Sequence, residues 1–371
     1  MKKLLGWFFW VFLIVCFLSP DETVAQEFDI RGRLHMDTFI GISDADQFSN
    51  GFNNRRARLG MTGQLTDNWD GRVEVDFSGA GVSPNDFRFR RSFENGGRLW
   101  LGQFKVPQGL NELTSSNNIR FIERTTVSNI ITDARRMGVA YEHIGGSAGF
   151  KTMLYGRSIG QNIQGDMPLG GALRGVYAPQ VGAGTIHLAG SVAYEDLMDD
   201  SSIGFSDRPE ARDSQGGRAL IGLNIPDLVE STLKTGLEVA YNSGPFWTEA
   251  EYFRVNVNME EGDDPAFNGW HAQAGYVLTG ESRAYSTGGF GTISPANDSG
   301  AWELALRYSF MDLNDSGYEG GRQSNFTLGV NHYVTSYLRF MCNVIFVNVT
   351  DVPDTSDISP VIGSFRAQFH F

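Results

Sequence analysis

The sequence predicts an all-β fold, specifically a 16-stranded antiparallel transmembrane β-barrel with an inward-folded constriction loop. The first reason is that apolar and polar residues alternate over many segments of about ten residues, the length of a tilted strand that crosses a bilayer. The second is that, beyond the N-terminal segment, no run approaches the ~18 consecutive apolar residues of a membrane helix, so any membrane span must be a strand. The third is the segment 364–371, which places four apolar residues on one face and ends in Phe371. A terminal aromatic strand of this kind is typical of outer-membrane barrels.

The first 25 residues have the features of a secretory signal peptide. Lys2 and Lys3 precede an apolar run that is too short to span a bilayer comfortably. A group of small residues follows this run and predicts cleavage after Ala25. We therefore expect residues 1–25 to be removed on export.

A rival interpretation makes Cys16 a lipoprotein cysteine, but Val15 stands where that signal needs a small residue. The mature chain, 26–371, is then expected to form a single barrel domain. Its one cysteine, Cys342, leaves no internal disulfide available, even in an oxidising compartment.

Sixteen segments carry the strand pattern, and an even number brings both chain ends to the same side of the membrane. A seventeenth candidate, 218–226, is assigned to a long loop for that reason. External loops are expected at 197–217 and 350–360, and tight turns at 242–245 and 334–336. The sixteen segments are 28–40, 52–65, 69–77, 86–94, 97–105, 137–145, 148–158, 171–179, 184–196, 232–242, 246–258, 267–280, 299–313, 321–334, 336–349 and 361–371.

The charge and the histidines exclude several classes of function. A net charge of −13 argues against a nucleic-acid partner, because phosphates attract a basic surface. Acidic residues cluster in predicted loops such as 260–264, where solvation explains them better than a calcium site. The six histidines lie in no nucleophile or metal motif. The sequence thus predicts no catalytic residue, no metal and no cofactor.

One connection, 107–136, is much longer than a hairpin and carries both apolar and charged residues. Its apolar residues are numerous enough to pack the segment onto another part of the protein. A 16-stranded barrel encloses an aqueous channel, so the lumen wall is the available surface. The sequence therefore predicts that this loop folds inward.

One face of the early strands is strongly basic and is expected to point into water, because a charge facing lipid near the midplane costs ~2 to 4 kcal/mol. Such a face would concentrate anions and favour their passage. Acidic residues share it, so an equally plausible interpretation is that paired arginines and aspartates only brace the wall. Arg55 and Arg91 have the opposite parity, which predicts a bulge or a position beyond the hydrocarbon. The basic residues of the face are Arg31, Arg33, Arg56, Arg58, Arg72, Arg88, Arg90 and Lys105.

Four segments carry a family resemblance that extends over nearly all of the mature chain. They read R-R-A-R-L-G at 55–60, G-Q-F-K-V-P at 102–107, L-T-S-S-N-N-I-R-F-I-E-R at 113–124 and W-E-L-A-L-R-Y-S-F-M-D-L-N-D at 302–315. With these motifs the chain resembles the phosphate-selective porins of the O and P type. The resemblance implies a trimer of 16-stranded outer-membrane barrels, in each of which the third loop forms a constriction with basic residues of the wall.

The resemblance also implies the residues of the constriction. Phosphate-binding members can carry a lysine after T-S-S, where this sequence has Asn117, so weaker capture of a dianion is expected. The predicted constriction and anion-binding residues are Arg55, Arg56, Arg58, Lys105, Thr114, Ser115, Ser116, Asn117, Arg120 and Arg124.

The function implied is passive diffusion of small anions, phosphate or polyphosphate among them, through an outer-membrane porin of a Gram-negative bacterium. The alternatives are a general or weakly selective porin, and, less favoured, an enzyme or an adhesin on a plugged barrel. Expected partners are small anionic solutes, outer-membrane lipid and lipopolysaccharide, two further copies of the chain, and the barrel-assembly machinery, for which Phe371 is the signal.

Overall fold

The computed structural model describes residues 27–161, 166–198, 202–226, 228–286 and 288–371. The predicted signal peptide lies outside these residues. No helix in the described ranges is long and apolar enough to cross a membrane.

Sixteen long strands form a closed antiparallel barrel, which confirms the predicted fold class. Each strand pairs with its neighbour along the chain, and the last strand pairs with the first to close the cylinder. Five short strands lie in the connections: β9, β11, β12, β16 and β17. In chain order the strands are β1 (Phe28–Ser43), β2 (Gly51–Thr66), β3 (Trp69–Asp76), β4 (Ser83–Ser92), β5 (Gly97–Lys105), β6 (Arg135–Gly145), β7 (Ala148–Tyr155), β8 (Leu169–Tyr177), β9 (Gln180–Val181), β10 (Gly184–Asp196), β11 (Ile203–Asp207), β12 (Ile221–Ile225), β13 (Val229–Ser243), β14 (Phe246–Met259), β15 (Ala266–Val277), β16 (Tyr285–Ser286), β17 (Gly289–Phe290), β18 (Ala301–Asp315), β19 (Tyr318–Tyr333), β20 (Leu338–Thr350) and β21 (Val361–His370).

Each of the sixteen predicted segments overlaps one barrel strand. The segment 218–226 is not a barrel strand, as expected, but it is not simply a loop either. Its central part is β12, which pairs with β11 in a separate two-stranded sheet. The pairing partner lies within the same connection, so the hairpin adds a strand without changing the even count of the barrel.

The two faces of the wall have opposite chemistry. On β18, Leu306 is 51% exposed, whereas the next residue, Arg307, is 1% exposed. The same alternation runs through the other long strands, with apolar side chains outward and mostly polar side chains on the buried inner face; an apolar group that includes Val257, Met311 and Ile345 also faces inward. This is the distribution expected where lipid surrounds the cylinder and water or protein fills it.

The connections differ in length between the two ends of the barrel. Both chain termini lie at one end, where most turns are short; Gly244, for example, takes the left-handed conformation (φ 53°) in the turn between β13 and β14. Three connections are long: 106–134 and 197–228 at the far end, and 278–300 at the end of the termini.

The segment 106–134 contains two short helices, α1 (Leu110–Leu113) and α2 (Thr126–Ile131). The Thr125 side chain caps α2 by accepting a hydrogen bond from the Ser128 N–H. Val127 and Ile131 are fully buried in a cluster with inner-face residues of β14, β15 and β18. The segment is therefore packed against an apolar part of the inner side of the wall and does not stand in solvent.

The connection 197–228 also packs onto this inner face. The sequence analysis had predicted an external loop for part of it, 197–217. Glu210 is 1% exposed, and its carboxylate bonds Arg307 and Ser309 of β18 and the backbone N–H of Thr126. The Asp207 carboxylate accepts a hydrogen bond from Asn129 of α2, at 2.7 Å. The ion pair between the buried Glu210 and Arg307 of the wall explains why this connection folds back onto the inner face of the barrel.

Candidate functional site

A cavity of about 270 Å³ lies between the inner faces of β1 to β7 and the segment 106–134. Seven arginines, two lysines and one carboxylate line it, together with two serines, two aromatic rings and one leucine. We call it the basic cavity. Its lining residues are Arg33, Arg56, Arg58, Arg72, Asp86, Arg88, Trp100, Phe104, Lys105, Leu113, Ser115, Ser116, Arg124, Arg135 and Lys151.

Strand alternation places most of these arginines, and a bulge places one more nearby. His35 of β1 pairs with Arg56 of β2, but the next residue, Met36, pairs with Asn54. Arg55 is therefore an extra residue on β2, which is a β-bulge. Both neighbouring arginines consequently reach the Glu123 carboxylate, Arg55 at 3.0 Å and Arg56 at 3.9 Å. The opposite parity of Arg55 in the sequence corresponds to this bulge.

Carboxylates on the same strands brace the arginines. Glu74 contacts Arg33 at 3.0 Å, Arg72 at 2.9 Å and Arg58 at 3.5 Å. Asp76 binds Arg58 at 2.6 Å. The single Glu74 therefore holds three guanidinium groups, which keeps them in place and leaves a surplus of positive charge.

Two further aspartates repeat this arrangement. Asp70 binds Arg88 at 2.6 Å and Arg90 at 2.7 Å. Asp86 binds Arg135 at 2.6 Å and Arg72 at 3.2 Å. The bracing that sequence analysis gave as the alternative is thus present, together with more cations than carboxylates.

The segment 106–134 is fastened to the cavity by its own charges. Glu112 pairs with Lys105 at 3.1 Å and with Arg124 at 3.0 Å. Burial alone would raise the pKa of the Glu112 carboxyl, but Arg124, Lys105 and Arg135 outweigh it and lower the pKa. Arg124 also donates to the backbone carbonyls of Asn111 and Thr114.

Glu123 is the second anchor of the segment. Burial opposes its ionisation, yet the guanidinium groups of Arg55, Arg56 and Arg366 hold the pKa of its carboxyl well below the ordinary value. Glu123 is therefore ionised at neutral pH and anchors the segment as a carboxylate.

The four residues T-S-S-N have different positions. Ser115 and Ser116 line the basic cavity, and the Ser116 hydroxyl accepts a hydrogen bond from Arg33 at 2.9 Å. Thr114 is buried, and its carbonyl binds Arg124. Asn117 is not among the lining residues: its side chain meets His35 at 3.2 Å, and its carbonyl accepts a hydrogen bond from Gln368.

Several predicted residues lie away from the basic cavity. Arg120 is buried in the segment 106–134. Its guanidinium donates to the Tyr333 hydroxyl at 2.6 Å and lies 3.6 Å from the Glu303 carboxylate. The Arg31 side chain is 57% exposed near the strand end, 3.9 Å from Asp29.

Three more lie at the margins of the cavity or the wall. Arg90 lies beside the cavity with its guanidinium 5.3 Å from the Trp100 ring centroid. Arg91 lies over the rings of Phe93 and Trp69, at the strand end next to a short turn. Phe371 closes the barrel through backbone hydrogen bonds with Gly32, and its ring is 55% exposed.

Sequence reasoning missed six residues of the cavity: Asp86, Trp100, Phe104, Leu113, Arg135 and Lys151. Alternation alone would have placed Trp100 and Phe104 outward, because both have the opposite parity to Lys105, which was assigned to the basic inner face. It could not show that they meet Lys151, because that contact depends on three adjacent strands. In the described part of the chain, no group of three or more His, Cys, Asp or Glu side chains is arranged to hold a metal ion.

The comparison with known families decides the identity. A family model described as phosphate-selective porin O and P matches residues 28–371. The chain belongs to this family. The resemblance found in the sequence is thereby confirmed, and the protein is an outer-membrane porin rather than an enzyme.

Individual proteins agree with this assignment. A protein of Caulobacter vibrioides is 30% identical over 351 residues, which cover 88% of this chain and 69% of its own. Porin O of Pseudomonas aeruginosa is 27% identical over 326 residues, covering 77% of this porin and 74% of its own length. The anion-selective porin from Comamonas acidovorans shares the fold, with a TM-score of 0.60 at 14% identity over 94% of this chain and 100% of its own.

Proposed function

We propose that this porin lets small anions, inorganic phosphate among them, diffuse across the outer membrane through the basic cavity. The observation that carries the proposal is the lining of the cavity, in which nine cationic side chains face one carboxylate. A surplus of fixed positive charge in a narrow, low-dielectric passage raises the local concentration of anions and lowers that of cations.

The segment 106–134 is the element that narrows the passage. Ser116 bonds Arg33 of β1 on one side. On other strands the Asn111 N–H donates to Glu251 of β14 at 2.9 Å. The Asn331 amide of β19 donates to the Arg120 carbonyl at 3.0 Å. These hydrogen bonds attach the segment to strands that lie far apart around the cylinder. They support the proposal that the segment crosses the bore and leaves the β1 to β7 side open.

The chemistry of the lining suits oxyanions. A guanidinium group offers parallel N–H donors that match two oxygens of a phosphate or carboxylate. The hydroxyls of Ser115 and Ser116 add neutral donors beside them. Asn117 does not line the cavity, so having asparagine instead of lysine at this position does not reduce the positive charge of the cavity lining. A general, weakly selective porin is the alternative, and it would discriminate little between phosphate and chloride.

The remaining partners are part of the proposal. We propose a homotrimer, as the family resemblance implies, in which each barrel conducts separately. We further propose that the acidic external loops share divalent cations with lipopolysaccharide.

Phe371 is proposed as the signal to the barrel-assembly machinery. Its deletion should reduce the amount of protein assembled in the outer membrane, as measured by surface labelling of intact cells. Normal assembly of the deleted form would contradict this part of the proposal.

The whole proposal is tested by conductance in planar bilayers. Regular current steps are expected from a porin, whereas an adhesin with a plugged lumen should give none. In a potassium chloride gradient the reversal potential should have the sign of anion permeation. A preference for cations would overturn the proposal.

A further inference from the structure

The connection 278–300 differs from the other connections at the end of the barrel that carries the termini. In the part of the chain that the structure describes, the others are short turns, such as 244–245 between β13 and β14. Within 278–300, β16 and β17 form a two-stranded hairpin that is separate from the barrel sheet. Long connections in a compact fold commonly have a function of their own.

The hairpin lies inside the barrel, on the periplasmic side of the segment 106–134. Phe290 is 4% exposed and packs against Leu110 of α1 and Ala240 of β13. The Tyr285 ring lies edge-on against the Phe290 ring, and its hydroxyl is hydrogen-bonded to Nδ1 of His187 on β10 at 2.7 Å. These contacts place the hairpin between the wall and α1.

Hydrogen bonds fix the hairpin to both of these neighbours. Arg283 is buried and donates to the Asn118 carbonyl of the segment 106–134 at 3.5 Å. The Arg283 carbonyl accepts a hydrogen bond from the Asn242 amide of β13 at 3.0 Å. In the opposite direction, Arg120 of the segment donates to the Gly291 carbonyl at 3.3 Å. The wall and the segment therefore set the position of the hairpin together.

The tip of the hairpin borders a second cavity of about 270 Å³, which we call the lower cavity. The lower cavity shares Leu113 and Lys151 with the basic cavity, so the two cavities are adjacent. The tip thus lies beside the way out of the basic cavity on the periplasmic side. The residues of the hairpin that line the lower cavity are Ser286, Gly288 and Gly289.

Glycine at the tip keeps this way out open. Gly288 has a φ of 103°, which residues with a side chain rarely adopt, and a Cβ there would lie 3.5 Å from the Arg174 guanidinium of β8. A Cβ at Gly289 would meet no other atom within 4 Å, and the backbone there is not in the left-handed region. The space beside Gly289 is therefore open, and a side chain at this position would fill part of it.

We infer that the hairpin β16–β17 is a size filter at the periplasmic exit, which limits how large an anion can leave through the lower cavity. The inference rests on the proposed function and adds to it the class of solute. The basic cavity selects by charge, and the hairpin tip selects by size, since the width of a pore is one of the determinants of its selectivity. Compact anions such as inorganic phosphate then pass more readily than bulky phosphate esters such as glucose phosphate.

The experiment compares anions of increasing size in the whole porin in a planar bilayer. Reversal potentials give the permeabilities of inorganic phosphate, glycerol phosphate and glucose phosphate relative to chloride. In Gly289→Leu the largest anion that the unchanged protein conducts should lose about tenfold in relative permeability, because forcing extra methylene groups into a filled space is costly. Gly289→Ala should give a smaller loss, and in both variants the loss should decrease with the size of the anion.

Gly175→Leu is the matched control. It adds the same side chain to an exposed glycine of β8, where a Cβ also meets open space, but outside the lining of both cavities. All relative permeabilities should stay as they are in the unchanged protein. Current steps in each variant show that the barrel has folded.

Each outcome bears on the inference separately from the proposed function. If the unchanged protein prefers anions but conducts glucose phosphate as readily as inorganic phosphate, the inference fails and the proposed function stands. The inference also fails if Gly289→Leu changes no relative permeability, or if it lowers the current of every anion by the same factor. A loss of equal size in Gly175→Leu would likewise overturn it. If the unchanged protein shows no anion preference, the proposed function itself fails.

Discussion

The two sides of the barrel wall share one pattern of outward apolar and inward polar residues, yet they border different environments. On the β1 to β4 side, Arg33, Arg58 and Arg72 keep 12 to 24% of their side chains exposed to a cavity. On the β18 to β20 side, Arg307 is 1% exposed and donates to the Glu123 carbonyl, and Arg339 donates to the Ile119 carbonyl. An inward arginine therefore borders a cavity where the bore is open, and it holds a connection in place where a connection covers it.

The charge balance differs in the same way. On the filled side Arg307 has its own acid, Glu210, and Arg339 binds neutral oxygen atoms of Ile119, Tyr333 and Gln368. On the open side Glu74 serves three arginines. A buried charge without a partner is costly in a dry site, whereas a surplus of charge is tolerated where water reaches it.

The largest expected effect comes from neutralising the open side. Replacing Arg58, Arg72 and Arg88 together by Gln leaves Glu74, Asp76 and Asp70 with fewer partners, so the surplus of positive charge in the cavity should decrease sharply. We expect the anion-over-cation permeability ratio to fall about tenfold or more, because each site near the constriction acts on every permeating ion. Reversal potentials in a salt gradient measure it. An unchanged ratio would show that the path of the ions does not pass through the basic cavity.

The second effect should appear in stability. Arg307→Met leaves the buried Glu210 carboxylate without its arginine, which typically costs about 3 to 5 kcal/mol. The midpoint of denaturant unfolding should decrease, while the ion selectivity of the folded fraction should stay the same. A shift in ion selectivity without a loss of stability would mean that Arg307 acts on the permeating ions and does not hold the connection 197–228 in place.

The third effect is a pH dependence of the connection 197–228. Burial raises the pKa of the Asp207 carboxyl to about 7, although the Asn129 amide and a backbone N–H partly oppose the shift. The native value lies above the unfolded one, so this contribution to stability is present at about pH 4 and is lost as the pH rises through about 7. Protection of the amides of β11 and β12 against hydrogen exchange should then decrease several-fold between pH 5.5 and 8.5.

A matched variant separates the Asp207 effect from other causes. Asp207→Asn cannot ionise, and it should show the same protection factors at both pH values, after correction for the intrinsic exchange rates. Were the variant to retain the full pH dependence, another titrating group would have to account for it.

The smallest effect is expected from Asn117→Lys. This change restores the lysine of the family motif, but Asn117 points toward His35 and Gln368 and lies outside the lining of the cavity. Half-blocking phosphate concentrations should change by less than about twofold, because a side chain that does not face the passage makes no contact with a bound anion. A tenfold gain in phosphate affinity would place this residue in the path and restore the expectation drawn from the motif.

Much of the architecture could be read from the chain because it depends on local pattern. A period of two identifies the strands and their faces, and an even count then excludes 218–226 from the wall. The same pattern identified the basic face, including Arg33, Arg58 and Arg72. It could not show whether each arginine is free or braced, since Glu74 reaches Arg33 from a strand that is 41 residues away in the chain.

The sequence by itself determined that this polypeptide is a barrel with a basic inner face, because alternation and the cost of charge in lipid act residue by residue. Only the tertiary structure decided which part of that face borders an open cavity. That choice depends on long-range contacts, such as those of Glu210 with Arg307, 97 residues apart, and of Arg120 with Tyr333, 213 residues apart. Closure of the cylinder brings such groups together, and no local pattern of residues encodes which of them will meet.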